Sequence, residues 1–379
     1  MSLYSRDDER AIRLQRLVND WTKSGLLIAE QKDRILPELQ VPLRRTNTFL
    51  RVTLFVFGYM IVNALTGLFV VTFNLSENAT MYLAGLAALA FFAVANVLVQ
   101  RFRLYRFGIE EAAAVAGVSC LAIGASMAFH PTFSMLQALT AAAAGSFLLF
   151  RRFGYVYAGV AATVFVALIP FATGQVDTVR RLVAIAIMVF VFFIARERRW
   201  DHDWDYPGDA YAVIEAVAWA VLYLVANLKA SPWLSSPDQL GLFYWATYAA
   251  IWILPAVGLF LAIRDRHRLL LDVSILTALA TLLSNKAYLG VEPKPWDPIL
   301  FGVLLITIAI GLRRWLSSGE HAARGGFVAH RLLASEKARL ALAGSATVFA
   351  PGAPAAHTHE SPSIGGGGRS GGAGASAKF

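Results

Sequence analysis

The chain has 379 residues, 57% of them apolar and only 16% charged, and its mean hydropathy is +0.55. Soluble domains carry roughly a quarter charged residues, so water-soluble domains are excluded as the main architecture. The net charge of +9 does not indicate a nucleic-acid partner, because Lys and Arg sit in short clusters between apolar runs, as in the basic loops of a membrane protein.

Residues 1–48 are rich in charge and lack the short apolar core and cleavage site of a secretory signal. The first membrane helix is therefore expected to serve as its own insertion signal. Leu14, Leu17, Val18 and Trp21 keep the spacing of one helix face. Gly25 is placed to end that helix, and a shorter helix from Ala29 to Leu36 is expected to stop before Pro37. Such a hairpin is too small to bury a stable core alone, so it is expected to pack on the membrane domain or on a partner.

The stretch Leu17-Val18-Asn19-Asp20-Trp21-Thr22-Lys23-Ser24-Gly25-Leu26-Leu27-Ile28-Ala29-Glu30-Gln31 resembles the opening of a family of bacterial predicted membrane proteins, domain of unknown function 2157. Arg106-Phe107-Gly108-Ile109-Glu110-Glu111-Ala112 is similar to a segment of such proteins. The resemblance implies an N-terminal helical hairpin joined to many transmembrane helices, and no known activity.

A helix needs roughly 20 apolar residues to cross a hydrocarbon core. Runs of that order lie at 49–73, 80–99, 111–129, 132–150, 155–173, 178–195, 210–228, 241–263, 269–289 and 298–312, the last being short. They are apolar on every face, which excludes barrel strands. The fold class is therefore all-α, a polytopic transmembrane bundle of about ten spans over residues 49–312.

Arginines follow every second run: Arg101, Arg103 and Arg106; Arg151 and Arg152; Arg196, Arg198 and Arg199; Arg264, Arg266 and Arg268; Arg313 and Arg314. With Arg44, Arg45 and Arg51 before the first, this places both termini on the cytoplasmic side of a bacterial inner membrane. Arg180 and Arg181 break the pattern and are expected to snorkel to the headgroups. Tryptophans 200, 204, 233, 296 and 315 fall near the expected interfaces.

Residues 313–345 read as a cytoplasmic amphipathic segment with a helix over Phe327 to Ala343, and 346–379 as a disordered Gly, Ala and Pro-rich tail. Cys120, the single cysteine, reads as a small core residue.

Ionisable groups inside spans are costly and count as functional candidates. Glu215 leads: it could bind a proton or cation, or else pair with an arginine of a neighbouring loop. Asn227 lies near the far end of the same span, and Asp272, Asn285 and Lys286 sit near the ends of the ninth, with Ser284 beside them. Glu110 and Glu111 are expected to favour a helix N-terminus and to pair locally with Arg101, Arg103 and Arg106. Asn63, Asn96 and Gln137 are expected to bond between helices, and Pro170 and Pro255 to kink theirs. The loop Trp200-Asp201-His202-Asp203-Trp204-Asp205 invites a metal reading. It lacks the closing glutamate of a calcium loop, so charge balance against Arg196, Arg198 and Arg199 is the better account. His357 and His359 are a weak metal signal in the tail.

The metalloprotease helix motif, the phosphate loop, the nucleophile elbow and the dinucleotide fingerprint are all absent from the sequence. The reading is an integral membrane protein without enzymatic activity, cofactor or metal. It would act as a scaffold or accessory protein, meeting the lipid bilayer and, through its hairpin and tail, other proteins. The alternative is a secondary transporter for a small solute or ion that uses Glu215.

Overall fold

A computed structural model of the chain describes residues 3–23, 25–128, 134–201, 206–230, 241–290, 294, 296–318, 323–324 and 327–328. The first helix, α1 (Arg6–Lys23), has Asp7, Asp8 and Glu9 in its first turn and Lys23 in its last, which complements the helix dipole. Gly25, at φ 75°, takes the left-handed position that closes it, and the Leu26 amide donates back to the Trp21 carbonyl at 2.9 Å. The second helix, α2 (Ala29–Ile35), begins with the Ile28 amide donating to Gln31 Oε1 at 3.1 Å, and a 3-10 turn, Leu36–Leu39, carries the chain across Pro37.

The hairpin packs on the rest of the protein, and only part of the expected face is used. Ile12 and Val18 are buried on α1, whereas Leu14 and Trp21 are exposed. The apolar spacing pointed to the one face, and the docking site added Ile12 to it. Tyr4 and Ile12 enter one core with Ala95, Val99, Tyr105 and Ala113. The Leu3 amide donates to the Arg152 carbonyl at 2.8 Å, and Arg44 bonds the backbone of Arg103 and Tyr105 at 2.9 and 3.0 Å.

Each of the ten apolar runs carries a helix. These are α3 (Thr48–Thr72), α4 (Glu77–Phe102), α5 (Ile109–Met127), α6 (Ser134–Phe153), α7 (Val156–Leu168), α8 (Asp177–Asp201), α9 (Tyr206–Ala226), α10 (Leu242–Arg264), α11 (Arg268–Tyr288) and α12 (Asp297–Ser317). Six of them, α3, α4, α5, α8, α10 and α11, are long and apolar enough to cross a membrane. The apolar parts of α7 and α9 are shorter, and Pro170 converts the end of α7 to a 3-10 turn, Ile169–Ala172. Pro255 lies buried within the unbroken span of α10.

The outside of the bundle is greasy. No residue of α3 is buried, and Phe57, Ile61, Leu65 and Leu68 stand exposed along it. In water this surface would aggregate, whereas hydrocarbon makes it the natural solvent-facing side of a helix whose backbone bonds are all internal. Inside, α5 packs on α3, α4 and α6, and α6 on α7. In the second group α8 packs on α9, and α11 on both α9 and α10, while α7 joins the groups through α9. Small residues set these approaches: a Cβ on Gly117 of α5 would lie 3.3 Å from the Ala88 carbonyl of α4.

Three expectations need correction. Asn63 Nδ2 donates to the Tyr59 carbonyl and Asn96 Nδ2 to that of Phe92, both 2.7 Å and within their own helices. A short amide meets its own i−4 carbonyl first, but Asn96 Oδ1 also bonds between helices as expected, accepting from Arg152 Nε of α6 at 3.2 Å, so the correction concerns Asn63. The buried Gln137 Oε1 has no partner among the described residues. Beyond α12, Ala323–Arg324 pairs antiparallel with Phe327–Val328, so a strand stands where the helix from Phe327 was expected to begin. Residues 329–379, including His357, His359 and the Gly-rich tail, lie outside the described residues.

Candidate functional site

Glu215 is fully buried midway along α9, and it is not alone. The last turns of α8 bring two guanidinium groups to it. Arg199 Nε lies 2.7 Å from Glu215 Oε2, and Arg196 Nη1 lies 3.6 Å from Oε1. Both arginines also engage Asp265, Arg199 Nη2 at 3.7 Å and Arg196 in close contact. The turn between α10 and α11 explains why Asp265 faces inward. The chain reverses at Arg266, in the left-handed region at φ 52°, and the His267 amide donates to the Ala262 carbonyl at 2.9 Å. That reversal buries Asp265 and His267 and sets His267 Nδ1 3.7 Å from Glu215 Oε2.

Two cations and two anions therefore neutralise one another in a site where Arg196 and Arg199 are only 15% and 12% exposed. Each charge alone would cost several kcal/mol to bury, so the four stand or fall together. Arg196 and Arg199 were expected to balance the aspartates that follow them. They engage Glu215 and Asp265, and residues 202–205 of that loop lie outside the described residues.

Burial and the two guanidinium groups push the imidazole of His267 down to about 4. A histidine whose folded value lies below the usual 6.5 contributes stability above pH 6.5 that is lost as pH falls toward 4, because the unfolded chain binds the proton more readily. The detergent-solubilised protein should show a falling Tm over this window. His267→Gln should flatten the loss, and an unchanged slope in the variant would put its origin elsewhere.

From Glu215 a polar seam runs between α9 and α11. Glu215, Trp219 and Tyr223 of α9 and Asn227 just past its end recur every fourth residue, and Ser274, Thr277, Thr281, Ser284 and Tyr288 line the facing side of α11, all buried. Tyr223 and Thr281 share a hydroxyl bond at 2.9 Å. Asn227 Nδ2 donates to the Tyr223 hydroxyl and to Ser284 Oγ, each at 2.9 Å. Asn227 Oδ1 accepts from the amides of Lys229 and Ala230 at 3.1 and 3.0 Å, so this residue ties off the end of its helix. Tyr288 and Tyr244 complete the tie: the Leu228 amide donates to the Tyr288 hydroxyl and the Tyr244 hydroxyl to the Tyr288 carbonyl, both at 2.7 Å.

Arg181 belongs to this end, and it does not snorkel. It is fully buried, with Nε 3.1 Å from Asp177 Oδ2 and Nη1 donating to the Val225 carbonyl at 2.9 Å, so α8 is clamped to the end of α9. A carboxylate one turn back and an unbonded helix-end carbonyl supply what water or headgroups would otherwise provide.

The residues singled out from the sequence thus occupy separate places. Glu215 and Asn227 are twelve positions apart, about 18 Å along the helix axis. Asn285 Oδ1 accepts from the Tyr248 hydroxyl at 2.9 Å, and Lys286 pairs with Asp297 of α12 at 2.5 Å. Asp272 is exposed in the second turn of α11. Asn227 and Ser284 meet.

Sequence reasoning missed Asp265 and His267, which sit in the run Arg264-Asp265-Arg266-His267-Arg268 and read there as part of a basic loop. At the other half of the bundle Glu111 pairs with Arg51 of α3 rather than with Arg101, Arg103 or Arg106. Glu110 serves the helix N-terminus as expected, accepting from the Phe107 amide at 2.6 Å. Among the described residues no group of three or more His, Cys, Asp or Glu is arranged to hold a metal. Compared with known proteins, the chain matches no family model, no curated protein and no solved structure.

Proposed function

We propose that this is a polytopic protein of the bacterial inner membrane, crossing it about ten times with both termini in the cytoplasm, and that it acts as a non-enzymatic scaffold or accessory protein. The observation that carries the reading is the mounting of the N-terminal hairpin. Tyr4 and Ile12 lock α1 into the core, while no residue of α2 is buried and Leu26 and Ile28 at the hairpin tip are 60% and 61% exposed. An anchored base with an apolar tip suits protein contact.

Sidedness has support from the bonding of residue 3 to Arg152 and of Arg44 to the segment after α4, which gathers three basic stretches at one end of the bundle. The resemblance of the hairpin to domain of unknown function 2157 supports the bacterial setting. The transporter reading has less support, since the carboxylate of Glu215 is already engaged by two arginines.

Two experiments test this. With Cys120 replaced by Ala, a single cysteine at Gly174 should react with a membrane-impermeant maleimide in intact cells, and one at Gly25 only after permeabilisation. The reverse pattern would overturn the topology. A photo-crosslinking residue at Ile28 should then form a discrete protein adduct in cells that Leu26→Asp abolishes, and an adduct indifferent to that change would remove the hairpin tip from the proposal.

A further inference from the structure

A cleft of about 480 Å³ lies between α5, α6 and α7. Along α6 its lining runs from Met135 through Ala138 and Ala142 to Leu149, fourteen helical steps and so about 21 Å of helix. Its mouths are reached from the outer, lipid-facing surface, where Met135 and Tyr157 are exposed, while Ala142 and Leu149 between them are buried. Spread over that length, and with the radius of a water molecule added at the walls, the volume corresponds to a trough about 8 Å wide, narrower than a helix with its side chains at about 10–12 Å. The walls are almost wholly apolar, and the hydroxyl of Ser119 is already bonded to the Val115 carbonyl and to Tyr59 at 3.1 Å each.

We propose that this cleft holds one extended acyl chain of an anionic phospholipid from the leaflet on the side of the arginine clusters. The inference rests on the membrane reading above. The long axis of the cleft follows α6, and therefore the direction of lipid chains around a spanning helix. An apolar trough open to hydrocarbon is filled by it, because an empty one forfeits dispersion contacts along its whole length. The headgroup class follows from charge. Tyr157, at one end of the cleft, lies within electrostatic reach of Glu111, Arg51, Glu110 and Arg106, and Arg51 and Glu111 already neutralise one another. Arg101, Arg103, Arg151 and Arg152 stand exposed on the adjoining ends of α4 and α6, whereas Glu110 and Glu111 are buried and engaged. Exposed arginines beside a chain-sized trough suit a phosphate diester.

The full chain would be reconstituted in phosphatidylcholine vesicles containing a minority of phosphatidylglycerol with a diazirine in one acyl chain, irradiated and mapped by peptide mass spectrometry. Adducts should concentrate on Ala138, Leu139 and Ala142 over lipid-facing α3, and phosphatidylcholine carrying the same label should give several-fold fewer. Ala138→Trp with Ala161→Phe should lose the α6 adducts and keep those on α3. Uniform labelling of all exposed helices, or α6 adducts that survive the filled cleft, would overturn the proposal. Equal labelling by both lipids would overturn the anionic assignment. Should the filled variant misfold, native mass spectrometry of the wild-type protein decides: one phospholipid should remain through delipidation, and none remaining refutes it. A chain that failed to float with the vesicles would instead refute the membrane reading itself.

Discussion

Glu215→Ala should destabilise the folded protein by about 3–5 kcal/mol, because it leaves Arg196 and Arg199 buried with one carboxylate between them. The loss arises from the remaining charges and not from the small area that alanine gives up. Glu215→Gln should do less harm, since an amide still offers an oxygen to Arg199, but it too leaves the cluster with a net positive charge. The diagnostic experiment is a double-mutant cycle. Glu215→Leu combined with Arg199→Met removes one charge of each sign and restores neutrality with Arg196 on Asp265. The pair should therefore recover much of the stability lost in either single variant. Thermal unfolding in detergent reads this directly. Additive losses would show that Glu215 and Arg199 do not act as a unit. A selective loss of solute flux with unchanged Tm would favour the transporter reading over a structural clamp.

Gly108→Ala should be the most damaging small substitution in the first half of the chain. Gly108 sits just before α5 at φ 113°, a region that side chains rarely enter, and a Cβ there would be driven into the Arg51 carbonyl and to 3.0 Å from the Phe55 amide. The strained backbone alone costs on the order of 1–3 kcal/mol. The collision adds to it, because what lies in the way is the backbone of α3 and not a side chain that can swing aside. Displacing α3 also stretches the pairing of Arg51 with Glu111, so this variant should lose the packing of α3 on α5 as well as stability. Gly67→Ala is the matched control: it lies within α3 with nothing within 4 Å of the added carbon, and alanine there should be neutral or better by about 1 kcal/mol. Equal effects at the two positions would mean that the close approach at Gly108 is not what holds α3 in place.

The helices are legible in the order of the residues, and so is one half of the Glu215 problem. A run of apolar residues reports its solvent locally, residue by residue, so all ten helices of the bundle follow from hydropathy, and the two of the hairpin from Gly25 and Pro37. Pairing of Glu215 with arginine is also within reach, since a buried carboxylate near a basic loop has few other options. Which basic residues, and which second acid, is not. Asp265 and His267 look like any members of a charged loop until the reversal at Arg266 turns them inward.

Arg181 makes the same point from the other side. In one dimension it is an arginine at a span end, free to reach water, and its carbonyl partner on Val225 lies 44 residues away. The burial of Ile12 while Leu14 stays exposed on α1 was equally illegible, because the residues at helix spacing from Ile12 are polar and only the surface it docks on selects it. The sequence by itself determined the solvent of each segment, because hydropathy and helix pitch are properties of consecutive residues. Only the tertiary structure decided which charges are neutralised and which faces meet, because the cost of burying a charge depends on a partner that another helix supplies.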